Sequence, residues 1–239
     1  MHDTVPMETQ QRFWNQWNAS AREHQLHDVS TDQADVVTGW LRRLGRHDLD
    51  ILDAGCGTGW LCERLLPFGP VTGTDLSHEV LERAGKRLPE VRFVAGDFMA
   101  LDFGAAAFDV IATLEVLSHV ADQPAFIAKL AHHLRPGGYL MLATQNRPVL
   151  ERYNRIPSPK PGQLRRWVDK DELRRLLAKE FDVLDTFSIT PKANKGAMRI
   201  INSRTFNRPI RALIGQRLDK LKEAAGLGWT LMALARKPL

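Results

Sequence analysis

The stretch T-L-E-V-L-S-H-V, Thr113 to Val120, sets a carboxylate at Glu115 and an imidazole at His119, four residues apart. Such a pair can hold a cation, can take up a proton near neutral pH, or can brace a loop. A second set of groups lies upstream. In I-L-D-A-G-C-G-T-G-W (51–60), Asp53 precedes glycines at 55, 57 and 59. Glycines at that spacing let the backbone turn sharply and approach a ligand without a Cβ in the way. The spacing differs from the G-x-G-x-x-G of dinucleotide sites, and an acid stands directly before the turn. Asp75 follows about 20 residues beyond the first glycine, where a carboxylate can accept from both hydroxyls of a ribose. Asp97 sits beside Phe98, a carboxylate for an exocyclic amine and a ring to pack on a base.

These groups need a scaffold that gathers them at one edge. Apolar runs at 50–54, 71–75, 91–95, 108–114, 138–144, 181–189 and 229–235 predict seven strands. Several are apolar almost throughout, as expected of strands buried on both faces of a parallel sheet. Helical periodicity falls between them, at 60–66, 80–88, 126–134 (ended by R-P-G-G) and 171–180. The fold expected is an α/β, Rossmann-like three-layer sandwich. Residues 8–45 predict two helices, with F-W-N-Q-W setting three aromatics on the first, either packed on the main domain or serving as a lid. About forty residues separate the last two strands, far more than an ordinary connection.

The chain has 239 residues, 44% of them hydrophobic, enough for one well-filled core. We expect a single domain over 1–239. Residues 1–45 would form an N-terminal helical cap, and 191–227 a basic helical insertion covering part of the acceptor site. No apolar run reaches the ~20 residues that cross a bilayer. The N-terminus lacks the order of a signal peptide, and Cys56 and Cys62 are too few for a disulfide framework. A soluble cytoplasmic protein is expected. The formal net charge of +5 is local: residues 192–223 carry nine Lys or Arg against Asp219 and Glu223, so the rest is slightly acidic. That segment is either a solvated helical face or a surface for a carboxylate, a phosphate or an anionic membrane, which makes a weak peripheral membrane contact one expectation.

Taken in order, D-A-G-C-G-T-G, G-T-D-L-S, G-D-F, F-D-V-I-A-T-L-E-V and L-R-P-G-G-Y-L resemble the motifs of the class I S-adenosylmethionine-dependent methyltransferases over residues 50 to about 146. The resemblance implies a sheet ordered 3-2-1-4-5-7-6 with the last strand antiparallel, and S-adenosylmethionine across the strand ends. It assigns Asp53 and the backbone of Gly55, Cys56, Gly57 and Gly59 to the methionine part. Asp75 falls to the ribose, Asp97 and Phe98 to the adenine, and Leu114 to the sulfonium side, with Leu76 also in the cofactor site. Cys56 is read as a small packing residue at that turn, not as a nucleophile.

A narrower resemblance concerns the acceptor. E-V-L-S-H-V is similar to the E-V-L-E-H-V of the ubiquinone-pathway O-methyltransferases, and A-T-Q-N-R (143–147) to their strand-end T-L-N-R. It implies a small-molecule acceptor, methylated at a hydroxyl oxygen, with an N- or C-acceptor as the alternative. In some of those enzymes two acids and the histidine support a divalent metal. Here Ser118 replaces the second acid, and a hydroxyl is a poor ligand for a hard cation, so no metal is expected. His119 is the candidate base. Glu115, Asn146, Arg165 and Arg199 are candidates for contact with an acceptor that is anionic or partly apolar. No N-P-P-Y-type motif follows the fourth strand, and no specific nucleic-acid partner is expected.

Overall fold

The structure is a computed structural model that describes residues 5–18, 28–196 and 220–239. Seven strands form one sheet in the order β3-β2-β1-β4-β5-β7-β6. They are β1 (Ile51–Ala54), β2 (Val71–Asp75), β3 (Arg92–Ala95), β4 (Phe108–Leu114), β5 (Leu134–Gln145), β6 (Asp182–Ile189) and β7 (Thr230–Arg236). Strands β1 to β5 pair in parallel, whereas β7 runs antiparallel to both β5 and β6. The expected order and the reversed last strand are both present.

Among the described residues, the sheet is flanked by α1 (Met7–Trp17), α2 (Asp28–Leu44), α3 (Cys62–Leu65), α4 (His78–Arg87), α5 (Gln123–His133), α6 (Arg147–Tyr153) and α7 (Lys170–Leu177). Successive strand residues point to opposite faces. Ile51, Val110 and Met141 therefore join the core under α2, α3 and α4. Their neighbours Leu52, Ile111 and Leu142 join the core under α5 and α7. This two-sided burial is why the central strands are mostly apolar, with Asp53, Thr113 and Thr144 buried among them. Truncating a fully buried leucine such as Leu52 or Leu142 to alanine would cost about 2–5 kcal/mol.

Local chemistry sets the element ends. Asp122 accepts from the Ala125 amide and starts α5, while Asp169 and Glu172 form a reciprocal capping box on α7. Two expectations are corrected. The helix expected at 60–66 is only one turn of α-helix, followed by a 3-10 turn with Pro67 at its start. R-P-G-G is not a turn before β5: it lies inside that strand as a bulge, where the pairing steps from Phe108↔Leu134 to Val110↔Tyr139. Arg135 in the bulge bonds Asp50 at 2.8 Å and Asp109 at 2.6 Å, tying three strand starts together. Helix α6 has no counterpart in the sequence reading. Of the basic helical insertion expected at 191–227, residues 191–196 and 220–227 are described, and 220–224 is helical.

Candidate active site

The parallel strands end at one edge, and the glycine turn sits there. The amides of Gly55 and Cys56 both donate to the Thr74 carbonyl, at 2.7 and 2.9 Å, which staples the turn to the end of β2. Gly55 has φ +82°, and a Cβ there would lie 2.2 Å from Val116 Cγ2, so only glycine fits. The Gly57 amide donates to Asp75 Oδ2 and the Ser77 amide to Asp75 Oδ1, both at 2.9 Å. A carboxylate has about four acceptor positions, so Asp75 keeps room for about two more donors. Burial pushes its pKa up, against those two amides.

Asp53 lies beneath the turn rather than in it. It is 2% exposed and accepts from Cys62 Sγ at 3.3 Å. Burial raises its pKa to about 7; the thiol bond opposes the rise, and the nearby Asp75 charge adds to it. Burial also pushes the Cys56 thiol well above its ordinary range, in keeping with a packing role.

A cavity of about 740 Å³ opens over this edge. Gly55, Cys56, Gly57, Asp75, Leu76, Asp97 and Phe98 line it, as do Glu115, His119 and Arg165. The other sequence candidates stand back from it. Leu114 is 8% exposed at the end of β4, and Gly59 packs toward Phe93 and Leu88. Asn146 is buried and donates to the carbonyls of Gly226 and Gly228, at 3.0 and 2.8 Å, as a brace between chain segments. Arg199 lies outside the described residues.

Glu115 and His119 do not act as one unit. Glu115 has φ +65°, uncommon for a residue with a side chain. Its Oε1 accepts from Gln33 Nε2 at 2.5 Å and Thr230 Oγ1 at 3.3 Å. His119 Nδ1 lies 2.7 Å from the Leu164 carbonyl. A carbonyl can only accept, so Nδ1 carries the hydrogen and a neutral ring leaves its lone pair on Nε2. Trp14 of α1 meets the imidazole edge-on, with ring centroids 4.7 Å apart. Burial lowers the pKa of His119 and the Arg165 charge adds to this, while the Leu164 bond opposes it, so the ring is neutral at pH 7. Ser118 is fully buried and does not line the cavity. Among the described residues, no group of three His, Cys, Asp or Glu ligands includes Glu115 or His119.

Residues 26–182 match the model of a family described as a methyltransferase domain. The chain belongs to that family. Together with the sheet order, this makes the protein a class I, S-adenosylmethionine-dependent methyltransferase. Among curated proteins, it is 27% identical over 205 residues to a ubiquinone biosynthesis O-methyltransferase of Coxiella burnetii, covering 72% of this chain and 86% of that one. It is 35% identical over 149 residues to the enzyme of the same name from Mesorhizobium japonicum, covering 56% and 59%. Among solved structures, the N-methyltransferase NodS of Bradyrhizobium japonicum, in complex with S-adenosyl-L-homocysteine, superposes with a TM-score of 0.66. That likeness is at 16% identity over 97% of this chain and 100% of that one.

The cavity of the methyltransferase fits S-adenosylmethionine on its own chemistry. Its strand-end side is rich in acceptors: the carboxylates of Asp75, Asp97 and Glu115, and the buried, unpartnered amide oxygens of Gln33 and Gln145. A ligand bearing an ammonium, a sulfonium, two hydroxyls and an amine supplies the matching donors and positive charge. Gln33 and Gln145 escaped the sequence reading. For Gln33 a signal existed: it is a polar residue inside the apolar stripe Ala34, Val37, Leu41 of α2. Trp167, which the sequence places beside Arg165 in the loop before the 171–180 helix as part of a cover, lines the cavity, as does Trp229.

Proposed function

We propose that the protein methylates a hydroxyl oxygen of a small molecule, with His119 as the base. The observation that carries this reading is the His119 ring: neutral, fixed by Leu164, and facing the same cavity as the glycine turn with Nε2 free of protein partners among the described residues. When bound, S-adenosylmethionine supplies a methyl already activated on a sulfonium. Asp75 takes the ribose hydroxyls, and Asp97 with Phe98 holds the adenine. The turn from Gly55 to Gly57 meets the methionine part, with the Asp53 charge beneath it. The protein's remaining task is to hold the acceptor oxygen in line, at about 3–3.5 Å, in a site without water.

His119 Nε2 removes the hydroxyl proton as the oxygen–carbon bond forms. The resulting imidazolium is held by Leu164 and closed in by Trp14. Helix α1 serves as the cover: Gln11 donates to the Leu76 carbonyl, and Gly162 approaches Thr9 and Phe13 so closely that a Cβ there would lie 2.4 Å from the Thr9 oxygen. The apolar rings of Trp14, Trp167 and Trp229 suit an acceptor with a flat apolar body. The curated relatives named O-methyltransferase support oxygen as the accepting atom.

The test is methyl transfer from labelled S-adenosylmethionine to a panel of phenols, amines and carbon acids, with the product methyl assigned by NMR. An O-methyl product whose formation falls at least about 100-fold in His119→Ala, with cofactor affinity retained, is the expected result. An N- or C-methyl product would refute the choice of atom.

A further inference from the structure

The cavity is polarised, with acids on one side and cations on the other. Three of its carboxylates, Asp75, Asp97 and Glu115, come from the ends of β2, β3 and β4 or just beyond them. A fourth, Asp122, is engaged in capping α5. The lining cations, Arg165 and Lys192, come instead from segments that follow β5 and β6. Neither has a carboxylate within 4.0 Å among the described residues. Elsewhere the protein pairs its half-buried arginines: Arg135 with Asp50 and Asp109, and Arg147 with Asp169 and Glu172.

Arg165 is held ready without being neutralised. It donates from Nη1 to the Pro157 carbonyl at 2.5 Å and from Nη2 to Gln163 Oε1 at 3.0 Å. Its guanidinium lies 5.3 Å from the centre of the Trp167 ring. A guanidinium has five N–H donors in a fork that matches a carboxylate, so three remain. A partly buried cation with spare donors and no counter-charge is costly unless a ligand completes it. Its place relative to the base is fixed by the chain: the carbonyl that orients His119 belongs to Leu164, the residue before Arg165.

We propose that the acceptor is a hydroxylated carboxylate with a flat apolar body, whose carboxylate is held by Arg165, with Lys192 adding charge, while its hydroxyl lies at His119 Nε2. The assignment rests on the O-methylation reading for the position of the hydroxyl only. The anion site itself can be tested by binding alone.

The probes are hydroxybenzoates and hydroxycinnamates, each paired with its uncharged methyl ester. Binding is measured by tryptophan fluorescence in the presence of S-adenosylhomocysteine, and turnover with labelled cofactor. The acid should be preferred over its ester, and Arg165→Gln should cut that preference by roughly 10- to 100-fold, since bonds to a charged group contribute that much. Arg165→Lys should keep part of it. Should the variants fold poorly, benzoate and benzyl alcohol can be compared on the unaltered protein, where benzoate alone should quench and compete. Acids and esters bound or methylated alike would overturn the anion site and leave O-methylation standing. Acids that bind through Arg165 and are never methylated would keep the site and remove the O-methylation reading. Loss of S-adenosylhomocysteine affinity in Arg165→Gln, with the acid preference intact, would reassign the arginine to the cofactor's own carboxylate and overturn the proposal. Binding of no member of the panel would overturn it as well.

Discussion

Gln33 of α2 and Glu115 beyond β4, 82 positions apart in the chain, share a hydrogen bond of 2.5 Å, and the same amide nitrogen reaches Thr230 of β7 at 3.2 Å. One buried side chain thus joins an N-terminal helix, the central parallel strands and the antiparallel strand at the cavity edge.

Replacing Gln33 by alanine removes one donor from Glu115 and one from Thr230, which keep their bond to each other. The loss should lower stability by about 1–3 kcal/mol, because Thr230, fully buried, and Glu115, half-buried, each lose a hydrogen bond that water does not fully replace. A thermal melt would show a lower Tm, and calorimetry a weaker cofactor. An unchanged melt would mean that Glu115 finds another partner.

Asp75 accepts from the amides of Gly57 and Ser77 while facing the cavity. Asp75→Ala removes the acceptor for both amides and for the ribose. Affinity for S-adenosylhomocysteine should fall by at least about 10- to 100-fold in calorimetry. Affinity within twofold of the wild type would remove Asp75 from the cofactor site.

His119 has its pKa lowered by burial and by the charge on Arg165. The neutral form is the active one, so turnover should rise with pH through a midpoint below the usual histidine value near 6.5 and then level off. In His119→Gln that acid limb should vanish together with most of the rate. A limb that survives the substitution would belong to another group.

Asp53 gives a stability effect of definite sign. Its folded pKa is about 7, whereas an unfolded aspartate titrates near 4. Between those values the folded state holds a proton that the unfolded state has released. Stability of the unliganded protein therefore declines as pH rises through that window, and the contribution becomes flat above about 7. Asp53→Asn should reduce this slope in denaturant titrations, leaving the part due to Asp75. A cationic ligand favours the charged carboxylate, so binding near pH 6.5 should release protons, visible as a binding heat that changes with the buffer's ionisation enthalpy. A heat independent of buffer would place the charge elsewhere.

The sheet was legible because two-sided burial forces apolar runs, and because the glycine turn and the acids after β2 and β3 keep a fixed spacing. The reversed β7 came from family resemblance, since nothing in W-T-L-M-A-L-A reveals strand direction. What stayed hidden depends on distant partners. No local pattern says that Asn146 turns away from the cavity to brace Gly226 and Gly228, or that Gln33 turns toward Glu115. R-P-G-G reads as a turn in isolation, and only the ion pairs of Arg135 with Asp50 and Asp109 make it a bulge within β5. The i, i+4 spacing of Glu115 and His119 suggested a shared task, but the positive φ at Glu115 and the turn at 117–119 send the two side chains to different partners.

Ile189, the last residue of β6, pairs directly with Thr230, the first of β7, and Thr230 in turn pairs with Gln145 at the end of β5. The forty residues between them therefore leave and rejoin the sheet one strand apart, at the edge that carries the cavity. Both anchor points are fixed by the sheet alone, and doubling such a loop costs only about 0.6 kcal/mol in closure entropy. In evolutionary terms, the segment is a cassette. A segment anchored in this way can change in length or sequence without disturbing the seven strands that hold its two ends.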